Sequence, residues 1–194
     1  MNLQLICDHR RLIRGYTIGW PGSVYDSDVI GSSKYCTKPK KYFSNGQFLM
    51  ADAGYALLRF ICTPFRQPAA SLEENELFNH LFSSARVTIE HVNGILKGRF
   101  GSLKGLRIEI KEVEDFKRLN EWVLVCLILH NILTIYNDDF DCEEEQEADI
   151  VHDIVPEENN DPIHGENLRD RVQEYLLRWY VNKQQEMDDT NFEL

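Results

Sequence analysis

The sequence predicts an α/β fold on three observations. Short apolar segments of strand character all lie before Pro64. A helical period takes over at about Ser71, and an apolar run, "WVLVCLIL" (Trp122–Leu129), sits inside a second helical stretch. In chain order, Leu3–Cys7 and Leu12–Trp20 read as a hairpin-like strand pair around "DHRR", with Asp8 in the turn. "PGS" breaks the chain, and Asp26 is placed to cap a short helix reaching about Ser33. "TKPKKYFSNG" reads as a basic loop. Gln47–Ala51 is a short strand ending at Asp52, and Arg59–Thr63 is another, stopped by Pro64. Phe78, Leu81, Phe82, Ala85, Ile89, Val92, Leu96 and Phe100 then share one helical face. A second helix is expected from about Glu112 to Tyr136, and "GENLRDRVQEYLLRWYVNKQQ" forms a final amphipathic one.

The chain of 194 residues has a formal net charge of −11, but the charge is segregated. Residues 137–194 carry 19 acidic and 4 basic side chains, a net of −15; residues 1–136 carry 13 and 17, a net of +4. A mildly basic folded part tolerates a nucleic-acid partner although the whole chain is acidic. The expected division is a folded domain at 1–136, an acidic linker at 137–162 and a helical tail at 163–194. Five scattered cysteines without a CxxC pair argue against a disulfide framework or a zinc knuckle. No apolar run approaches the roughly 18–20 residues that span a bilayer, so Trp122–Leu129 reads as buried helix. "MNLQLICDHRR" lacks the basic n-region of a secretory signal. These readings exclude a secreted or membrane-spanning protein and leave a nuclear or cytoplasmic one.

Two features carry chemistry. Asp52 stands at the mouth of a strand, followed by Gly54 and Tyr55. Arg86, Glu90, Asn93 and Lys97 follow i, i+4, i+7, i+11 and line a stripe beside the apolar face of the first long helix. From periodicity alone the stripe reads first as a solvated face of i, i+4 neighbours. His130, within "LILHNIL", reads as a hydrogen-bonded core residue. "KPKK" at 38–41 suits DNA backbone, nuclear import or a plain solvated loop.

The order of these pieces resembles the PIF/Harbinger-type transposases and the nucleases derived from them, over roughly residues 3–140. Pro21, Gly22, Ser23 and Asp26 match the family's Pro-Gly-Ser…Asp segment. Asp52, Gly54 and Tyr55 match its strand-end Asp-x-Gly-Tyr. Arg86, Glu90, Gly94, Leu96, Lys97, Arg99 and Phe100 match its Arg…Glu…Gly-x-Leu-Lys-x-Arg-Phe helix, and Leu129, His130 and Asn131 its Leu-His-Asn helix. The resemblance implies a ribonuclease-H-like DDE fold, in which three carboxylates hold two divalent cations, Mg²⁺ or Mn²⁺, that cleave DNA phosphodiesters. It makes Asp52 and Glu90 the second and third of these carboxylates, and brings Arg86 and Lys97 toward phosphate. It also implies that a separate protein can supply DNA binding. The family's first Asp lies on a central strand ahead of Leu3, and neither Asp8 nor Asp26 is read as its substitute. The expectation is therefore a ribonuclease-H-like sheet without its first strand, open or irregular at the gap, and an incomplete nuclease. The other reading is a domesticated, non-catalytic module that binds DNA or protein.

Overall fold

The computed structural model describes residues 2–44, 46–105, 109–138 and 165–191, with the side chains of 165, 166 and 186–191 excepted. In chain order the elements are β1 (Asn2–Cys7), β2 (Ile13–Trp20), α1 (Asp26–Gly31), α2 (Lys34–Thr37), α3 (Pro39–Tyr42), β3 (Leu49–Met50), β4 (Ile61–Cys62), α4 (Glu73–Arg99), α5 (Val113–Ile135) and α6 (Gly165–Asn191). Helices dominate, and the described strands form two separate two-stranded sheets. Two compact units result, and each draws on two stretches of chain.

The first unit comprises Met1–Ser33 and Arg86–Asp149. β1 and β2 pair antiparallel, with Leu3 opposite Ile18 and Leu5 opposite Tyr16. Alternation along a strand sends Leu3, Leu5 and Cys7 to one face. There they pack on a core of Val92 and Leu96 from α4 and Leu119, Val123, Cys126 and Leu127 from α5. Gln4 points to the opposite face and is buried. Its amide donates to the Asp26 carbonyl at 2.9 Å and to Asp26 Oδ1 at 3.1 Å, which fixes α1 on that side. The Asp26 carboxylate also accepts from Asn2 Nδ2 at 2.9 Å. Asp26 is therefore not the cap expected of it: the N-cap position belongs to Tyr25, and Asp26 opens the first turn. Asp8 does organise its turn, with Oδ1 accepting the Arg10 and Leu12 amides at 2.9 and 3.0 Å and Oδ2 the Arg14 guanidinium at 2.7 Å. At Gly19, φ is +106° and a Cβ would lie 3.1 Å from the Phe116 ring, so only glycine fits between β2 and α5.

α5 starts with a reciprocal capping box between Glu112 and Asp115. One of its faces is anchored to the hairpin. Asn131 accepts the Ile13 amide at 2.8 Å and donates to the Ile13 carbonyl at 2.9 Å, as a neighbouring strand would. His130 is fully buried and its Nε2 lies 3.0 Å from the Arg11 carbonyl oxygen. An oxygen there can only accept, so Nε2 carries the proton. The expectation of a buried helix at Trp122–Leu129 holds for one side only. Val123, Cys126, Leu127 and His130 are buried, whereas Trp122, Val125, Ile128 and Leu129 are 41–50% exposed. By length and composition alone α5 could cross a membrane.

The second unit comprises Lys34–Ala85 and Ile150–Leu194. Within the segment read as a basic loop, Pro39–Tyr42 folds instead as α3, with Pro39 at its start, where a missing N–H costs nothing. Tyr35 is buried, edge-on to Tyr42 at 5.1 Å, and Phe43 stacks on Phe60 at 5.4 Å. β3 and β4 pair parallel, Leu49 with Ile61 and Met50 with Cys62, both shorter than the sequence runs suggest. The core joins Cys62 to Phe78, Leu81 and Phe82 from α4 and to Leu168, Val172 and Leu176 from α6. The last helix is thus part of a core rather than an appendage. Asn79 repeats the device of Asn131, accepting the Phe65 amide at 2.8 Å and donating to its carbonyl at 3.0 Å. Gln173 of α6 donates to Asn75 of α4 at 2.7 Å, and the Arg169 guanidinium lies 3.9 Å above the Phe65 ring.

α4 belongs to both units: residues 73–85 lie in the second and 86–99 in the first. Residues 139–162 of the expected linker lie outside the described residues.

Candidate functional site

Asp52 follows β3. The Leu49 amide bonds to the Phe60 carbonyl and the Ala51 amide to the Cys62 carbonyl, both at 2.9 Å, so pairing with β4 carries the chain up to the carboxylate. There the backbone turns. Asp52 Oδ1 accepts the Gly54 amide at 2.7 Å, and the Asp52 carbonyl accepts the Tyr55 amide at 3.1 Å. A Cβ on residue 54 would lie 2.9 Å from Asp52 Oδ1, so the folded-back carboxylate requires glycine at that place. The Arg66 guanidinium ties the turn from outside, donating to the Ala53 carbonyl and, at 3.1 Å, to that of Tyr55. The "DAGY" motif is thus a turn that holds one carboxylate in a fixed orientation.

Glu90 lies in the first unit, on α4, and is exposed. On its stripe Arg86 and Asn93 are partly buried and Lys97 is exposed, as a boundary position requires. Val92 and Leu96, on the adjoining face, are fixed in the core and orient the helix. Arg99, further along, is largely buried and donates to the Asp138 carbonyl just beyond α5.

Asp52 and Glu90 offer the hard oxygen donors that Mg²⁺ or Mn²⁺ prefers. Among the described residues, however, no three His, Cys, Asp or Glu side chains gather into a metal site. Each carboxylate is thus a suitable ligand within its own unit, and no complete donor set is present among the described residues. The described cysteines are free thiols, and burial pushes Cys7 and Cys62 up to about 12, which leaves both inert as ligands or nucleophiles at neutral pH. His130 is likewise a core residue. Sequence reasoning missed the backbone-pairing roles of Asn79 and Asn131; an Asn set inside an apolar helix is the signal that points to them.

By class this is an endonuclease-type α/β chain. The family described as "DDE superfamily endonuclease" matches residues 1–131, and the chain belongs to that family. Among curated proteins it is 29% identical to "Protein ALP1-like" of Arabidopsis thaliana over 148 residues, covering 69% of this chain and 35% of the relative. It is 25% identical to "Putative nuclease HARBI1" of Homo sapiens over 132 residues, covering 68% of this chain and 37% of the relative. The Xenopus laevis protein of the same name is 26% identical over 182 residues, covering 91% and 49%. The chain thus spans between about a third and a half of these relatives. No solved structure matches.

Proposed function

We propose that this chain supplies Asp52 and Glu90 as two carboxylates of a divalent-metal-dependent DNA endonuclease, acting in the nucleus on phosphodiesters, with Arg86 and Lys97 meeting phosphate. The observation that carries the reading is the Asp52 turn. Gly54 and Arg66 hold a carboxylate rigidly at the end of a parallel strand pair, in a chain of the DDE endonuclease family. Membership of the DDE endonuclease family supports a ribonuclease-H-like architecture. The metal would polarise the scissile phosphate and activate the attacking hydroxyl. DNA targeting by a separate DNA-binding protein fits a stretch, residues 1–136, that is only mildly basic and has no reading helix identified in the sequence. The test is Mn²⁺ titration, followed by calorimetry and electron paramagnetic resonance. Two carboxylates give affinity on the order of millimolar. Asp52→Asn and Glu90→Gln should each abolish it, and unchanged binding in both variants would refute the assignment.

A further inference from the structure

We infer that the lysine-bearing surface of α2 and α3 docks the phosphate backbone of duplex DNA without reading its sequence, through Lys34, Lys38, Lys40 and Lys41. The choice of DNA over another polyanion rests on the endonuclease reading above. Basic charge is concentrated in this segment. Residues 34–72 carry six basic side chains and one acidic one, Asp52, a net of +5. Residues 1–136 as a whole reach only +4, so the remainder of that stretch is slightly acidic. The four lysines fall within residues 34–41, and all are exposed. Among the described residues no carboxylate pairs with Lys38, Lys40 or Lys41. The acidic residues that follow, Glu73, Glu74 and Glu76, open α4 at a different anchorage, where Asn75 bonds to Ala69 and Gln173. At about 0.1 M salt, charges more than about 10 Å away are largely screened, so a local excess acts whatever net charge the chain carries.

The lysines stand on a hydrogen-bonded frame. The Lys38 amide donates to the Lys34 carbonyl at 3.0 Å, the Lys41 amide to that of Lys38 at 3.0 Å, and the Phe43 amide to that of Pro39 at 2.9 Å. Lys34 Nζ lies 5.1 Å from the ring centre of the buried Tyr35 and 5.6 Å from that of Tyr42, and Lys41 Nζ lies 5.9 Å from that of Tyr42. These are cation–π distances, and they gather two ammonium groups about one ring. Phe43, stacked on Phe60, fastens the end of α3 to the residue before β4. Binding then has little backbone order left to impose.

The aromatic rings decide the kind of nucleic acid. A single-strand site offers open ring faces on which bases stack. Here Tyr35 is buried, Tyr42 is engaged by Tyr35 and two lysines, and Phe43 lies on Phe60, so these rings serve the frame. Lysine is a compact point charge on a flexible stem, which suits phosphate oxygens whatever the sequence. The patch also lies near the Asp52 turn within one unit. The Leu49 amide bonds to the Phe60 carbonyl, and Asp52 comes three residues later, about 10 Å at roughly 3.3 Å per residue. That is about three base pairs of duplex at roughly 3.4 Å each, so one duplex can bear on both the lysines and the turn.

The test is fluorescence anisotropy of the 194-residue chain with a labelled duplex of about 20 base pairs, in EDTA so that no metal contributes. Four phosphate contacts give the logarithm of the binding constant a slope of about −3.6 against the logarithm of salt concentration, a loss of about 100-fold between roughly 50 and 200 mM. Lys38→Gln with Lys40→Gln should reduce the slope to about −1.8 and weaken binding about 10-fold at roughly 50 mM salt. Its melting temperature and Mn²⁺ affinity should match the wild type, and two duplexes of unrelated sequence should bind alike. No binding at about 50 mM salt, or a double variant with the affinity and salt slope of the wild type, would overturn the proposal. Tighter binding of an oligothymidine strand than of duplex, lost in Tyr42→Ala, would overturn it in favour of base stacking. Flotation with phosphatidylserine vesicles by a chain that binds no duplex, lost in Lys38→Gln with Lys40→Gln, would overturn it and assign the lysines to an anionic membrane. Salt-dependent duplex binding through these lysines in a chain that binds no Mn²⁺ would uphold the docking site and remove only the metal assignment.

Discussion

Replacing Asn131 with alanine isolates the link between α5 and the hairpin. The Asn131 amide satisfies both backbone groups of Ile13 at 2.8 and 2.9 Å, and Ile13 is only 8% exposed. Truncation leaves one N–H and one C=O without their partner. Each buried unpaired group costs about 1–3 kcal/mol. Because the site is only partly shielded, the low end of that range applies to each group, and the sum is about 2–4 kcal/mol. At roughly 2–4 °C per kcal/mol for a chain of this size, the melting temperature should fall by about 5–15 °C. Urea unfolding followed by circular dichroism at 222 nm gives the free energy directly. Asn131→Asp serves as a second arm, keeping an acceptor for the Ile13 amide but turning a carboxylate oxygen toward the Ile13 carbonyl. It should therefore be no more stable than Asn131→Ala. A loss below about 0.5 kcal/mol in Asn131→Ala would show that the pair of hydrogen bonds does not hold the hairpin.

His130 and Gly54 give two further tests. Burial holds the His130 imidazole below its ordinary 6.5, against the opposing pull of the Arg11 carbonyl, and its Nδ1 has no hydrogen-bond partner among the described residues. The unfolded chain therefore takes up a proton below pH 6.5 that the folded chain refuses, so stability is full above that pH and declines as pH falls from 6.5 toward the folded value. His130→Gln should flatten the slope of unfolding free energy against pH in that window, and superimposable slopes would refute it. Gly54→Ala should displace the Asp52 carboxylate, weakening Mn²⁺ binding several-fold while costing only about 1 kcal/mol of stability; unchanged Mn²⁺ affinity would detach the turn from the site.

Periodicity made the long elements legible. Phe78, Leu81 and Phe82 on α4, and Val92 and Leu96 beyond them, occupy the cores that the helical spacing foretold. What covers a face is a different matter, since spacing names a stripe but not its partner. Leu168, Val172 and Leu176 were visible as an apolar face, yet their packing on Phe78 and Phe82 depends on tertiary contacts that no local pattern encodes. The same limit hid the outer side of α5, where a continuous apolar run gives no hint that Val123 is buried and Val125 is not. Asp26 misled because its side chain serves Asn2 and Gln4, distant in sequence, rather than its own helix end. The short strand leading to Asp52 was legible as an apolar run, whereas the hydrogen bond from the Gly54 amide that folds its carboxylate back was not read from the sequence.

The way the second unit is threaded bears on its birth at the ribosome. Phe82 leaves the exit tunnel 94 positions before Leu176, which completes the core around it. At roughly 5–20 residues per second, the phenylalanines of that core wait about 5–20 s for their cover. Over that interval Phe78 and Phe82 stand open to solvent on the nascent chain, a window in which a hydrophobic-binding chaperone has time to act. The first unit has a shorter wait: Val123 and Leu127 arrive while α4 is still recent, so its hairpin and two helices can close well before the final helix is made.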